Sequence, residues 1–172
     1  NRGERRVRLF EVGVRFLART EAVPPGKVHP GPVCEERSFA AVLAGSRDAW
    51  IGIGDEVDVW DAKGVACRMI EGLLHRTAEV EPLTGEARPA HLHPRGAARV
   101  RVDGVDVGCF GPLHPDVVDA LELDGPALVV ELELGKLEQI GAHAPKLVAL
   151  PTLPASTRDV ALEVEEVVMA GA

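Results

Sequence analysis

Along most of this chain apolar residues alternate one by one, and over a single long stretch they switch to a helical period; that switch limits the folds open to it. Ala62, Val65, Ala66, Met69, Ile70, Leu73 and Leu74 recur at the spacing that gathers side chains on one face of an α-helix. Asp58 stands ahead of them as a residue able to cap the helix start, so a helix is expected from Asp58 to Leu74. Elsewhere the period is two. Ala98, Val100 and Val102 alternate with Arg99 and Arg101, Asp103-Gly104 has the chemistry of a two-residue hairpin turn, and Val105, Val107 and Cys109 continue the apolar face. The pattern predicts a β-hairpin over Ala98–Phe110.

Four further elements follow from the same rules. Leu128, Val130, Leu132 and Leu134 alternate with Val129, Glu131 and Glu133, which predicts a strand over Ala127–Leu134 with one buried face. Val7 and Leu9, then Phe10, Val12, Val14 and Phe16, alternate with a one-residue slip, so the strand Val7–Leu17 is expected to carry a bulge near Leu9–Phe10. Ser38–Ala44 is continuously apolar, as in a central strand covered on both faces. His114-Pro115-Asp116 opens a short helix whose apolar residues are Val117, Val118 and Leu121. Strands outnumber helices and no strand-helix-strand rhythm repeats. The fold class is therefore α/β in the α+β sense, a mostly antiparallel sheet with flanking helices.

Proline and glycine mark the organisation. Pro24, Pro25, Gly26, Pro30, Gly31 and Pro32 punctuate a loop, and Pro145–Pro154 reads as a linker. Beyond it Val160, Leu162 and Val164 alternate with Asp159, Glu163 and Glu165, the start of another strand. The expected division is a main module over 1–144 and the beginning of a second unit over 145–172. The chain opens at Asn1 without an initiator Met and ends at Ala172 just after a strand-like run, so both ends are expected to be cuts in a longer protein.

The net charge of −8 opposes a phosphate backbone, and four Phe, two Trp and no Tyr leave few rings for bases to stack on. These features disfavour bulk RNA binding. Arg2, Arg5, Arg6, Arg8, Arg15 and Arg19 near the start, and Arg95, Arg99 and Arg101 later, read as solvated surface. No run approaches the roughly 20 apolar residues of a membrane helix, and the Arg-rich start lacks the apolar core of a signal peptide. Cys34, Cys67 and Cys109 are odd in number and far apart, which suits neither a disulfide framework nor a metal knuckle. A reducing cytoplasm is the expected setting.

Candidate chemical motifs are weak when read residue by residue. Gly52-Ile53-Gly54 lacks the third glycine or lysine of a phosphate loop. His91 and His93, with His114, would need to converge with acidic residues to hold zinc, and a metal-dependent enzyme built on them is the least favoured of three readings. His114 fits a helix cap, Cys109 a small buried hydrophobe, and Glu163, Glu165 and Glu166 a solvated acidic edge. No residue is assigned as catalytic, cofactor-binding or metal-ligating.

Five segments, in order, resemble the beta subunit of bacterial phenylalanyl-tRNA synthetase. Asn1 to Gly13 is similar to the family's N-x-x-R-x-x-x-x-L-F-E-I-G strand, and Val57-Asp58-Val59-Trp60-Asp61-Ala62-Lys63-Gly64-Val65 to V-D-F-F-D-L-K-G-V. Leu92-His93-Pro94-Arg95-Gly96-Ala97-Ala98 is similar to L-H-P-G-R-S-A with Gly and Arg exchanged. Val107-Gly108-Cys109-Phe110-Gly111-Pro112-Leu113-His114-Pro115-Asp116-Val117, the most specific of the five, resembles V-G-x-F-G-E-L-H-P-E-V with Pro112 in place of Glu. Pro145-Lys146 and Pro154 to Leu162 resemble the run that enters the anticodon-binding domain, with Thr157 replacing the first Arg of its R-R-D signature.

The resemblance implies a class II aminoacyl-tRNA synthetase catalytic-like fold that has lost its ATP signature, Leu134-Gly135-Lys136-Leu137-Glu138 standing where a glycine-rich motif ending in Arg is required. It also implies a ligase assembled as (αβ)2 that charges tRNA-Phe using ATP and Mg²⁺, in which this module makes the contact with the α subunit and performs no chemistry itself. No cofactor is expected in the module, and the isolated chain is expected to self-associate through the apolar surface left open. The alternative is a stand-alone degenerate synthetase-like protein with a binding or regulatory role.

Overall fold

The computed structural model describes residues 6–18, 31–52, 54–145, 154–161 and 163. Six strands form one fully antiparallel sheet: β1 (Val7–Ala18), β2 (Val33–Ala44), β3 (Glu79–Pro82), β4 (Ala98–Val102), β5 (Val105–Pro112) and β6 (Ala127–Glu133). Their spatial order is β1-β2-β6-β5-β4-β3. Helix α1 (Val59–Leu74) lies across β5 and β6, while α3 (Leu134–Ile140) packs against β2 and β5. A short α2 (Pro115–Ala120) joins β5 to β6.

The core occupies the helix-covered face. Ala62, Ala66, Ile70 and Leu74 of α1 meet Phe39, Ala41 and Leu43 of β2, Val100 of β4, Phe110 of β5, and Val130 and Leu132 of β6. The helix start is doubly tied, since the Asp58 carboxylate accepts from the N–H of Trp60 and of Asp61 while Asp61 accepts from the N–H of Asp58. That reciprocal arrangement satisfies amide groups with no intrahelical partner. Arg47 braces it from outside, at 2.7 Å from Asp58 and 2.8 Å from Asp61, and its guanidinium holds both carboxyls below the usual aspartate range.

Several sequence expectations meet corrections. The register of β1 on β2 runs unbroken from Val7↔Ala44 to Ala18↔Val33, so there is no bulge at Leu9–Phe10. The apparent slip arises because β1 is an edge strand with apolar residues on both faces: Leu9 lies on one and Phe10 on the other. A bulge does occur in the other hairpin, between Val100 and Arg101, where the ladder passes from Val100↔Gly108 to Arg101↔Asp106. The extra residue moves Cys109 off the apolar face and puts Phe110 there instead. Val102 still pairs with Val105 across Asp103-Gly104, as the two-residue turn requires.

Ser38–Ala44 does lie inside the sheet, between β1 and β6, but it is not covered on both faces, for Ala40 is exposed and Val42 only half-buried. The strand Ala127–Leu134 ends one residue early, at Glu133, and Leu134 begins α3. That helix has no side-chain cap and starts Leu-Gly, which is why the pattern conceals it, yet its Leu137 is buried in the main core. Helix α2 starts as expected, the His114 ring accepting from the N–H of Asp116 at 3.2 Å with Pro115 in the first turn. Of the strand expected at Val160–Val164, Val160, Ala161 and Glu163 are described and have no strand pairing; Leu162 and Val164 lie outside the described residues. The Pro24–Pro30 loop and most of the expected linker lie outside them too.

Candidate functional site

On the face opposite α1 the sheet is only partly covered. The segment from Leu83 to Ala97 folds over it, burying Leu83, Leu92 and Ala97 against Val129, Val42, Cys109 and Leu113. Strand parity brings Arg15 of β1, Glu36 of β2, Glu131 and Glu133 of β6, Cys109 of β5 and Arg99 of β4 to this face. Between this patch and the covering segment runs an open cleft of ≈ 230 Å³, lined by Arg15, Leu83, Ala87, Pro89, Arg99, Asp106, Gly108, Cys109, Glu131 and Glu133.

The cations of the cleft are already engaged. Arg15 lies 2.7 Å from Glu36 and 3.8 Å from Glu131, Lys136 lies 2.6 Å from Glu133, and Arg99 lies 3.1 Å from Asp106. The Glu36 and Glu133 carboxyls lie against each other. That contact, with Arg15 assisting, holds the Glu36 carboxyl below its ordinary value, while burial and the neighbouring Glu36 push Glu133 up.

The segments that carry the three histidines weighed as metal ligands are joined by backbone hydrogen bonds, from the His114 N–H to the His91 carbonyl and from the His93 N–H to the Pro112 carbonyl, but their rings have separate partners. His91 places Nε2 3.3 Å from Glu131, His93 accepts from the N–H of Arg95 at 3.1 Å, and His114 caps α2. Among the described residues no group of three or more His, Cys, Asp or Glu is placed to hold a metal ion. Gly52 and Gly54 flank Ile53, which lies outside the described residues. Gly52 takes a left-handed φ of 78°, and a Cβ on Gly54 would stand 2.3 Å from the Arg47 carbonyl oxygen, which explains both glycines without a ligand. Among the described residues no helix is long and apolar enough to cross a membrane.

Cys109 faces the cleft beside Glu131, with Sγ 4.0 Å from Oε2. Burial, reinforced by the Glu131 charge, pushes its thiol up to about 12. Iodoacetamide at pH 8 is therefore expected to leave Cys109 unmodified in the folded protein and to alkylate it in urea, as read by peptide mass spectrometry. Equal rates in both conditions would mean that the thiol is not shielded.

Sequence reasoning missed Arg15, Glu36, Glu131 and Glu133 as a set. The alternation within β6 did carry the signal that Glu131 and Glu133 share a face, but their meeting with Arg15 and Glu36 depends on pairing across three strands.

Comparison with known proteins gives this geometry its context. Residues 1–134 match the family model described as the phenylalanyl tRNA synthetase beta chain CLM domain. The chain is 33% identical over 99% of its length to a phenylalanine–tRNA ligase beta subunit of Vibrio parahaemolyticus, and 35% identical over 94% of its length to one of Pseudomonas putida. A Synechococcus beta subunit is 32% identical over 91% of the chain. The chain spans about a fifth of the length of these curated relatives, 21%, 19% and 19% respectively. With a family match running through β1 to β6 and α1, this chain belongs to the CLM-domain family of the phenylalanyl-tRNA synthetase beta chain.

Proposed function

We propose that this chain is the non-catalytic core module of a phenylalanine–tRNA ligase beta subunit, and that it builds the contact with the α subunit of an (αβ)2 enzyme that charges tRNA-Phe in the cytoplasm. The observation that carries the reading is the open face of the sheet. A nucleotide triphosphate with its magnesium needs free cations and a few carboxylates set for the metal. Here Arg15, Lys136 and Arg99 each already face a carboxylate, and Glu36, Glu131 and Glu133 crowd the same face of the sheet. The residues do not fit Mg²⁺-ATP, so adenylate chemistry belongs to another subunit.

Exposed apolar residues support an architectural role. Trp50 is 99% and Ile51 86% exposed at the tip of the turn before α1, and Trp60 on the first turn of α1 is exposed as well. Permanent assemblies use surfaces of this kind, rich in aromatic anchors. Residues 1–144 would form the module, and 145–172 would lead into a ferredoxin-like anticodon-binding domain.

The test has two arms. Calorimetric titration of the chain with ATP and Mg²⁺ is expected to give no saturable heat, and co-expression with the cognate α subunit is expected to yield a co-eluting complex. A micromolar isotherm abolished by Arg15→Ala, or an α subunit that elutes without the chain, would overturn the reading.

A further inference from the structure

The outer strand of the sheet carries an unusual pattern. From Leu9 to Leu17, β1 reads Leu-Phe-Glu-Val-Gly-Val-Arg-Phe-Leu. Reversed about Gly13, each residue meets its own kind except Glu11, which meets Arg15. The strand is thus its own complement when laid antiparallel against a copy.

The fold leaves that strand free to pair. β1 stands at the end of the sheet order with β2 as its sole neighbour among the described strands. It runs 12 residues with no proline, and its pairing with β2 shows no register shift. Edge strands are normally protected by shortness, bulges, proline or unopposed charge, and a long flat apolar edge is a template for another strand. Phe10, Val12, Val14 and Phe16 form an exposed row on the helix-covered side, and Leu9 and Leu17 are exposed on the other.

We propose that two copies of this chain pair through β1, antiparallel and centred on Gly13, joining their sheets into one continuous sheet with six strands from each copy. A two-fold axis normal to the sheet keeps each face on its own side, so partners must share a face. Centring on Gly13 meets this rule. Phe10 opposes Phe16 of the second copy and Val12 opposes Val14 on the helix-covered side, while Leu9 opposes Leu17 and Glu11 opposes Arg15 on the open side. Cross-strand aromatic, aliphatic and opposite-charge pairs all stabilise such a junction, and the two-fold axis makes each of them twice. Moving the centre by one residue to Val12 or Val14 puts Glu11 against Gly13 or Leu17 and Arg15 against Leu9 or Gly13, so charge complementarity selects the one register. Glu11 is exposed and forms no ion pair among the described residues. The Arg15 side chain is 40% exposed at this edge, beside its two carboxylate partners in the cleft.

The inference stands apart from the ligase reading, because its test uses the chain alone, without α subunit or ATP. Sedimentation across a concentration series at about 0.15 M salt is expected to show the mass doubling from 18.3 kDa. Glu11→Arg sets like charges together at both sites and is expected to weaken the dimer at least tenfold while leaving the monomer folded by circular dichroism. Register is read by cysteine: Gly13→Cys faces its own copy and is expected to form an intermolecular disulfide under mild oxidation. Glu11→Cys lies four residues from its counterpart and is not. A Cβ at Gly13 meets only the Glu11 side chain, at 3.6 Å, so the variant fits the fold. A strict monomer at every concentration, a dimer indifferent to Glu11→Arg, or cross-linking no better at 13 than at 11 would each overturn the proposal.

Discussion

Gly108→Ala is expected to destabilise the protein by about 3 kcal/mol or more, enough to threaten a fold whose whole stability lies near 5–15 kcal/mol. Gly108 sits in β5 opposite Leu132 of β6, and a Cβ there would lie 2.0 Å from the Glu131 carbonyl oxygen and 2.9 Å from Leu132 Cδ2. The first of these is backbone in a neighbouring strand, so relief requires pulling β5 from β6 and weakening their ladder. Urea denaturation followed by far-ultraviolet circular dichroism measures the loss. Gly64→Ala in α1, where a Cβ meets open space, is the control and is expected to gain up to about 1 kcal/mol. An unchanged midpoint for Gly108→Ala would show that the two strands do not approach so closely.

Phe110→Ala is the second large effect, at about 3–5 kcal/mol of lost stability. The ring is 2% exposed, between Ala98 and Val130 in the ladder and beneath α1. Its removal leaves a cavity that strands and helix cannot both close. Phe10→Ala is the informative partner. Phe10 is 74% exposed, although its ring stacks on Phe39 at 6.1 Å, so its loss is expected to shift monomer stability by no more than about 0.5 kcal/mol while weakening pairing of two copies. Equal losses of stability for the two variants would contradict the assignment of Phe10 to an uncovered edge.

These two phenylalanines look alike in sequence. Each stands in a run of alternating apolar residues, and that alternation does not separate the core ring from the exposed one. Phe110 was expected only at the end of a hairpin, with Cys109 on the apolar face; the bulge between Val100 and Arg101 exchanged them. A bulge is decided by how two strands twist and close on a third, here by the tight approach at Gly108, and the alternation of β5 alone does not show it. The reverse error occurred in β1, where apolar residues on both faces suggested a bulge that the continuous pairing with β2 excludes.

The candidate site divides in the same way. His114 as a helix cap was readable because a cap is a contact between residues two apart in the chain. The charge network of Arg15, Glu36, Glu131 and Glu133 joins residues separated by more than a hundred positions, and each one alone is an ordinary polar residue on a strand.

The sequence by itself determined what depends on neighbours along the chain. It located α1 with its Asp58 cap, the Asp103-Gly104 turn, the short α2 and an antiparallel sheet, because helix period, turn chemistry and strand alternation are local properties. Its ordered motifs also pointed to the family that the match over 1–134 established. Only the tertiary structure decided the strand order, which put β6 between β2 and β5 and left β1 at the rim. It alone decided which apolar rows are buried and that α3 follows β6 without a loop. The physical reason is that burial and strand pairing are settled by competition among distant segments for one limited core, and a strand's pattern records which faces are apolar but not which neighbour will cover them.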